Sequence, residues 1–186
     1  MKNRAPLWPP PAWLCFAWGL AEATFFFLIP DIILSWAALS GVKTGLKALG
    51  AVLAGSIVGG IGMYAWASHA PDSSRAAVAH VPFVRQSMFV SVEQDYAKHG
   101  MAGMLRGPTS GIPYKIHAVL APPHGPLSSF ILMSIPARLE RIVVSWLGFA
   151  VLSLLLGGWM RSHRAATTMA FLAFWAAMYA FYWSRI

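Results

Sequence analysis

Long apolar runs, separated by short polar or basic turns, make up most of this chain. Three of them, residues 46–66, 142–160 and 165–183, each have roughly the 20 residues that a helix needs to cross a bilayer. Basic residues accompany these runs, as they do in the loops of membrane proteins. The pattern predicts an all-α polytopic membrane protein with about three full transmembrane helices.

The first apolar run, residues 12–39, is too long for one upright span. As a continuous helix it would measure about 42 Å at 1.5 Å per residue, against about 30 Å for the hydrocarbon core. Pro30 interrupts the run where a helix would lose a hydrogen bond and clash with its preceding turn. We therefore expect a broken or re-entrant helix.

A second interrupted segment covers residues 101–137, where Gly and Pro leave no piece long enough to span. Pro113 is the helix-breaking residue that corresponds to Pro30. Irregular backbone survives at membrane depth only where protein or a wet cavity satisfies it. A second re-entrant segment is the expectation, and paired broken helices are typical of transporters that bind substrate between the breaks.

The most polar stretch lies between these segments. Within residues 76–99, apolar side chains recur at helical spacing from Val81 to Tyr96, and charged side chains fall mostly off that stripe. The pattern predicts an amphipathic helix at the membrane surface or against the helix bundle.

Composition supports a membrane protein and excludes some other classes. Charged residues make up 11% of the chain, against roughly 25% in soluble domains. The net charge of +8 comes from small basic groups beside apolar runs rather than from one polar face, so we expect no nucleic-acid partner. The single cysteine and the scattered histidines predict no metal site and no cofactor.

Ionisable residues inside the apolar runs are the candidate functional site, because each costs about 2.5–3.5 kcal/mol at a helix centre. The acids are Glu22 and Asp31, which a break at Pro30 could turn toward one cavity. The basic candidates are Arg106, Lys115, Arg138 and Arg141. In the functional hypothesis the basic residues bind a phosphate, and one or both acids gain and lose protons to couple transport. The alternative is that Glu22 and Asp31 only neutralise Arg106 and Lys115 as fixed ion pairs.

Two motifs resemble those of the DedA superfamily, also called SNARE-associated or VTT-domain proteins, and within it the YqaA-like branch. The segment from Glu22 to Asp31 is similar to that branch's Glu-Ser-Ser-Phe-Phe-Pro-Ile-Pro-Pro-Asp motif. Arg106-Gly107 followed by Ile112-Pro113-Tyr114-Lys115 is similar to its Arg-Gly-Phe-Thr-Pro-Ile-Pro-Tyr-Lys motif, with Gly111 in place of a proline and one extra residue. Arg138 and Arg141 resemble the family's Gly-Arg-x-x-Arg, although Ala137 replaces the glycine.

The resemblance implies two re-entrant hairpins that face each other between membrane helices, in a bacterial inner membrane. It also implies transport or scrambling of phosphate-bearing lipids, either phospholipid or polyprenyl phosphate. In that picture Glu22 and Asp31 match the family's acids, and the four basic residues match its basic positions.

Two other hypotheses stay open. A non-transporting scaffold could pack against another membrane complex through the glycine-rich span, where Gly55 and Gly59 form a small-xxx-small pair. A membrane enzyme acting on lipid phosphates would need a nucleophile or metal; the sequence offers no catalytic residues, so we expect no enzyme. The sequence leaves a homo-oligomer open.

Overall fold

The structure, a computed structural model, describes residues 8–184, without the side chains of residues 108, 109, 182 and 183. Every regular element in this part of the chain is helical, as the predicted all-α fold requires. The α-helices are α1 (Ala12–Thr24), α2 (Asp31–Ser40), α3 (Val42–His69), α4 (Pro71–Ala79), α5 (Gln86–His99), α6 (Gly107–Ser110), α7 (Tyr114–Leu120), α8 (Leu127–Ser162) and α9 (Arg164–Trp183). Two 3₁₀ helices, Gly100–Arg106 and Pro122–His124, flank α6 and α7.

The first apolar run leaves helical geometry between α1 and α2, and Pro30 is the residue before α2. The backbone of this break is hydrogen-bonded by distant side chains. Trp18 Nε1 donates to the Leu28 carbonyl at 3.2 Å, and the Ile29 N–H donates to Tyr179 Oη at 3.0 Å. The break is therefore held by α1 on one side and α9 on the other.

Helices α1 and α3 pack so closely that only glycine fits at their crossing. A Cβ added at Gly55 would lie 2.0 Å from the Phe16 carbonyl oxygen, and one at Gly19 would lie 2.2 Å from the Val52 carbonyl oxygen. Gly59 also faces α1, where an added Cβ would lie 2.8 Å from the Leu20 carbonyl oxygen. The small-xxx-small pair predicted to allow a close helix approach is thus covered within the chain.

The segment between α5 and α8 consists of short helices and turns, and its central helix α7 is buried. Pro113 precedes α7, whose residues from Tyr114 to Val119 are all buried. Tyr96 Oη donates to the His117 carbonyl at 3.0 Å, and burial raises the pKa of this hydroxyl, so it remains a donor. Tyr64 Oη donates to the Gly125 carbonyl at 2.8 Å. Side chains from α3 and α5 thereby donate to carbonyls in the last turn of α7 and in the turn before α8.

The predicted amphipathic helix over 76–99 differs from the structure, which divides it into α4 and α5. Pro82 lies in the gap and cannot donate a backbone hydrogen bond to a helix. Phe83 has a positive φ of 69°, which lies outside α-helical geometry and is uncommon for a residue with a bulky side chain. The apolar stripe itself faces the interior: Met88, Val92 and Tyr96 are buried.

The boundary between the predicted segments 101–137 and 142–160 also differs. Helix α8 begins at Leu127, directly after Pro126, and continues for 36 residues with Pro136 inside it. At 1.5 Å per residue it measures about 54 Å, well beyond the hydrocarbon thickness of about 30 Å. The predicted segment ends at residue 137, beside Pro136, whereas the helix continues through this proline. Residues on both sides of it are anchored in the core: Phe130, Ser134 and Arg138 are buried.

Two of the described helices, α3 and α8, are long and apolar enough to cross a membrane. They differ in their surroundings. The most apolar window of α3 is 50% buried within the fold, whereas that of α8 is only 22% buried. Large apolar side chains such as Leu154 and Leu155 on α8 are about three-quarters exposed. The predicted span 165–183 coincides with α9, a 20-residue helix that does not meet the same criterion over the described residues.

Adding one methyl group tests the crossing of α1 and α3. We expect Gly55→Ala to lower the free energy of unfolding by about 1–3 kcal/mol, because the methyl has no room beside the Phe16 carbonyl. The matched control is Gly62→Ala on the same helix, where an added Cβ meets nothing within 4 Å. Unfolding in detergent micelles measures both. Equal effects of the two substitutions would contradict the close crossing.

Candidate functional site

An ion pair whose two side chains are both buried joins α1 to α8. Arg138 Nη2 lies 2.5 Å from Glu22 Oε2, and the two side chains are 7% and 5% exposed. The same nitrogen donates to Ser56 Oγ on α3 at 3.0 Å. The guanidinium also lies over the Tyr114 ring, 4.9 Å from its centroid. A buried pair needs further contacts to offset the loss of water, and Ser56 and Tyr114 supply two of them. The Arg138 Nε atom remains buried without a hydrogen-bond partner among the described residues.

A second ion pair joins α8 to α2 one turn further along. Arg141 Nη2 donates to Asp31 Oδ2 at 3.0 Å, and Ser145 donates to the other carboxylate oxygen. Asp31 is the first residue of α2, where the helix dipole favours a negative charge. Arg138 and Arg141 are three residues apart and share one face of α8. That face therefore binds both pieces of the broken first run.

Lys115 links the two irregular segments. Its side chain is buried, and Nζ donates to the Phe26 carbonyl in the break between α1 and α2 at 3.0 Å. Within the described part of the chain, no carboxylate lies within 4 Å of this ammonium. Lys115 is thus a buried cation whose hydrogen-bond partner is a neutral carbonyl group.

Glu22, Lys115 and Arg141 line one cavity of about 280 Å³. Tyr179 adds a hydroxyl, and Pro113 and Gly111 bring the second irregular segment to its wall. The remaining wall is apolar and comes from three parts of the fold: Phe27 and Ile29 in the break, residues 81–84 between α4 and α5, and Trp175 and Met178 on α9. The cavity therefore combines two cations and one carboxylate with an apolar surround.

Arg106 lies elsewhere. Its side chain is 61% exposed, with Nη1 3.6 Å from Asp95 Oδ1 and 3.0 Å from His99 Nε2. The structure does not bring it to the cavity with the other predicted basic residues. The structure also differs from the alternative in which Glu22 and Asp31 neutralise Arg106 and Lys115. The partners of the two acids are Arg138 and Arg141. A basic residue in an apolar run can reach the surface through a 3₁₀ turn, which sequence spacing alone does not reveal.

Four polar residues at the site were not among the sequence candidates: Ser56, Ser145, Tyr114 and Tyr179. Serine and tyrosine are common packing residues in apolar helices, so their types carried no signal. Ser145 could have been found because it lies one helical turn after Arg141. In residues 8–184, no three His, Cys, Asp or Glu side chains converge as a metal site would require.

Comparison with protein-family models, curated proteins and solved structures finds no match for this chain. The resemblance to the DedA superfamily therefore rests on the sequence motifs alone. Those motifs contain all six charged candidates, which are Glu22, Asp31, Arg106, Lys115, Arg138 and Arg141.

Removing one partner of the buried ion pair should destabilise the fold strongly. We expect Glu22→Ala to lower the free energy of unfolding in detergent micelles by about 3–5 kcal/mol, because it leaves the Arg138 charge buried without its carboxylate. Combining it with Arg138→Met should restore most of the loss, since no unpaired charge remains.

The control is Glu93→Ala, which removes the partner of Arg75 at a site where both side chains are at least a third exposed. That substitution should cost no more than about 1 kcal/mol. A Glu22→Ala effect as small as this control would show that the Glu22–Arg138 pair is not a stabilising element.

Proposed function

We propose that this chain is an integral membrane protein that moves phosphate-bearing lipids across a bilayer. Membrane insertion is supported by the exposed apolar surface of α8 and α9, which includes Val144, Leu154, Leu155 and Met169 at about 70% exposure. Soluble proteins rarely leave contiguous apolar patches of this kind uncovered. In this proposal α3, α8 and α9 span the membrane, and α4 and α5 lie at its surface.

The two irregular segments act as a pair of re-entrant elements that face each other. The hydrogen bond from Lys115 to the Phe26 carbonyl joins the second segment to the break in the first. Tyr179 on α9 also binds the first break. Such contacts satisfy backbone that could not face lipid directly. The DedA-like motifs imply a pair of re-entrant elements of the same kind.

The main support for the proposal is that two cations, Lys115 and Arg141, line the same cavity, whose remaining wall is mostly apolar. Among Glu22, Asp31, Lys115, Arg138 and Arg141, three cations face two carboxylates, which leaves one net positive charge. An anion is the natural complement, and phosphate oxygens accept strong hydrogen bonds from both ammonium and guanidinium groups. Apolar walls around such a group favour a phosphate attached to a hydrocarbon body.

The acids hold the cations in place until a phosphate arrives. Asp31 orients Arg141 at 3.0 Å, and that side chain is about one-third exposed, so it is the accessible member of the cluster. A phosphate in the cavity exchanges part of the Arg141–Asp31 contact for its own oxygens. Protonation of Glu22 or Asp31 would weaken the corresponding carboxylate–arginine contact, and this is the step at which a proton gradient would couple to lipid movement.

The scaffold hypothesis has less support than it had from the sequence. The glycines on which it depended, Gly55 and Gly59, contact α1 within the same chain. The scaffold hypothesis also gives no function to Lys115, a buried cation beyond those paired with carboxylates, which is costly to maintain at membrane depth.

Lipid translocation in proteoliposomes tests the proposal. The comparison uses labelled phosphatidic acid or polyprenyl phosphate with wild type, Lys115→Met and Arg106→Gln. We expect Lys115→Met to slow translocation about ten- to hundredfold, because it removes a charge-assisted hydrogen bond worth about 1.5–3 kcal/mol. Arg106→Gln should leave the rate unchanged, since that side chain lies outside the cavity.

Equal unfolding curves for the two variants establish that folding is intact. An unchanged rate for folded Lys115→Met, or no translocation of either lipid by wild type, would refute the transport proposal.

A further inference from the structure

A second cavity, larger and almost wholly apolar, lies in the crevice between α8 and α9. Its volume is about 510 Å³, and Leu39 at the end of α2 forms part of its wall. Most of its lining is aliphatic or aromatic, as with Leu152, Phe171 and Phe174. Its size falls in the range of small-molecule binding pockets, about 300–1,000 Å³.

The two hydroxyl groups in this groove already have partners. Ser145 donates to Asp31, and Thr167 donates to the Met160 and His163 carbonyls. Neither offers a free donor to a ligand. With these hydroxyl groups engaged and most of the lining aliphatic or aromatic, the groove suits a hydrocarbon chain.

The groove continues the charged cavity along the same helix faces. On α8, Arg141 lines the charged cavity and Ser145, four residues later, lines the groove. On α9, Met178 lines the charged cavity and Phe174, four residues earlier, lines the groove. Residues four apart lie on one face of a helix, one turn from each other. Since α8 and α9 run antiparallel, both steps lead in the same direction.

The crevice is long enough to hold a whole lipid chain. From Arg141 to Met160, the last α8 residue in the groove, the helix rises about 28 Å at 1.5 Å per residue. The chains of one leaflet occupy about half of the hydrocarbon core, which is about 30 Å thick in total. A chain in the groove would remain at membrane depth along its whole length while its headgroup lies at Arg141.

We propose that the α8–α9 groove binds the hydrocarbon chain of the lipid whose phosphate lies at Lys115 and Arg141. This inference rests on the proposed function and adds a second contact region to it. The charged cavity selects the phosphate, and the groove selects a long apolar chain. The transported substrate is then recognised at both ends, and α9 is part of the binding site.

Photolabelling distinguishes a specific chain from the surrounding bilayer lipid. The probe is phosphatidic acid with a diazirine on its acyl chain, and its control is diacylglycerol with the same labelled chain. We expect phosphatidic acid to label groove residues such as Leu152 and Phe171 at least about tenfold more than diacylglycerol does, because only the former has a phosphate for Lys115 and Arg141. Equal labelling by both probes would overturn the proposal.

A pair of glycine variants tests the position of the chain. Gly148 lines the groove and Gly158 does not, and an added Cβ meets nothing within 4 Å at either position. Gly148→Trp should abolish the preference for phosphatidic acid, and Gly158→Trp should retain it. Loss of the preference in both variants, or in neither, would contradict a chain bound in this groove.

Glycerol phosphate, which has no hydrocarbon chain, separates the two proposals. Its binding, followed by phosphorus NMR in detergent micelles, should be lost in Lys115→Met and kept in Gly148→Trp. Equal binding of glycerol phosphate by wild type and Lys115→Met would contradict the phosphate site itself. Binding that depends on Lys115, together with equal labelling by the two lipid probes, would overturn the groove alone.

Discussion

The buried ion pair between Glu22 and Arg138 is the constraint on which the rest of the architecture depends. Both charges are removed from water, and the energetic cost of that transfer is offset by close geometry and by further contacts to the charged groups. Ser56 on α3 accepts a hydrogen bond from the guanidinium, and the Tyr114 ring on α7 packs against it. One interaction therefore fixes α1, α3, α7 and α8 relative to one another. The Arg141–Asp31 pair, one turn further along α8, adds α2 to the same assembly.

This arrangement explains why a cavity with excess positive charge exists beside an otherwise balanced cluster. The two carboxylates are already bound to the two arginines, so Lys115 is left with a backbone carbonyl as its partner. The break between α1 and α2 and the irregular segment before α7 provide the walls. Neither could close the cavity alone, because each needs the hydrogen bonds that the other elements donate. A phosphate attached to an apolar body fits both the charge and the walls.

The sequence predicted the parts of this site that have a strong local cause. Pro30 and Pro113 each precede a helix, and the apolar runs made Glu22, Asp31, Lys115, Arg138 and Arg141 conspicuous as costly charges. Which charge pairs with which depends on contacts between residues more than a hundred positions apart, and no local pattern records them. Arg106 was grouped with the cavity because it lies in an apolar stretch, but a 3₁₀ helix turns it to the surface. The unbroken course of α8 through Pro136 was missed because tertiary packing of its flanks outweighs the local penalty of the proline.

The position of a bound phosphate decides whether Lys115 and Arg141 form the binding site. An experimental structure in lipid nanodiscs containing phosphatidic acid would locate it. We expect phosphate density within hydrogen-bonding distance of Lys115 Nζ and the Arg141 guanidinium, with the Glu22–Arg138 pair intact. Density confined to exposed basic residues such as Arg106 or Arg161, with nothing between Lys115 and Arg141, would contradict it.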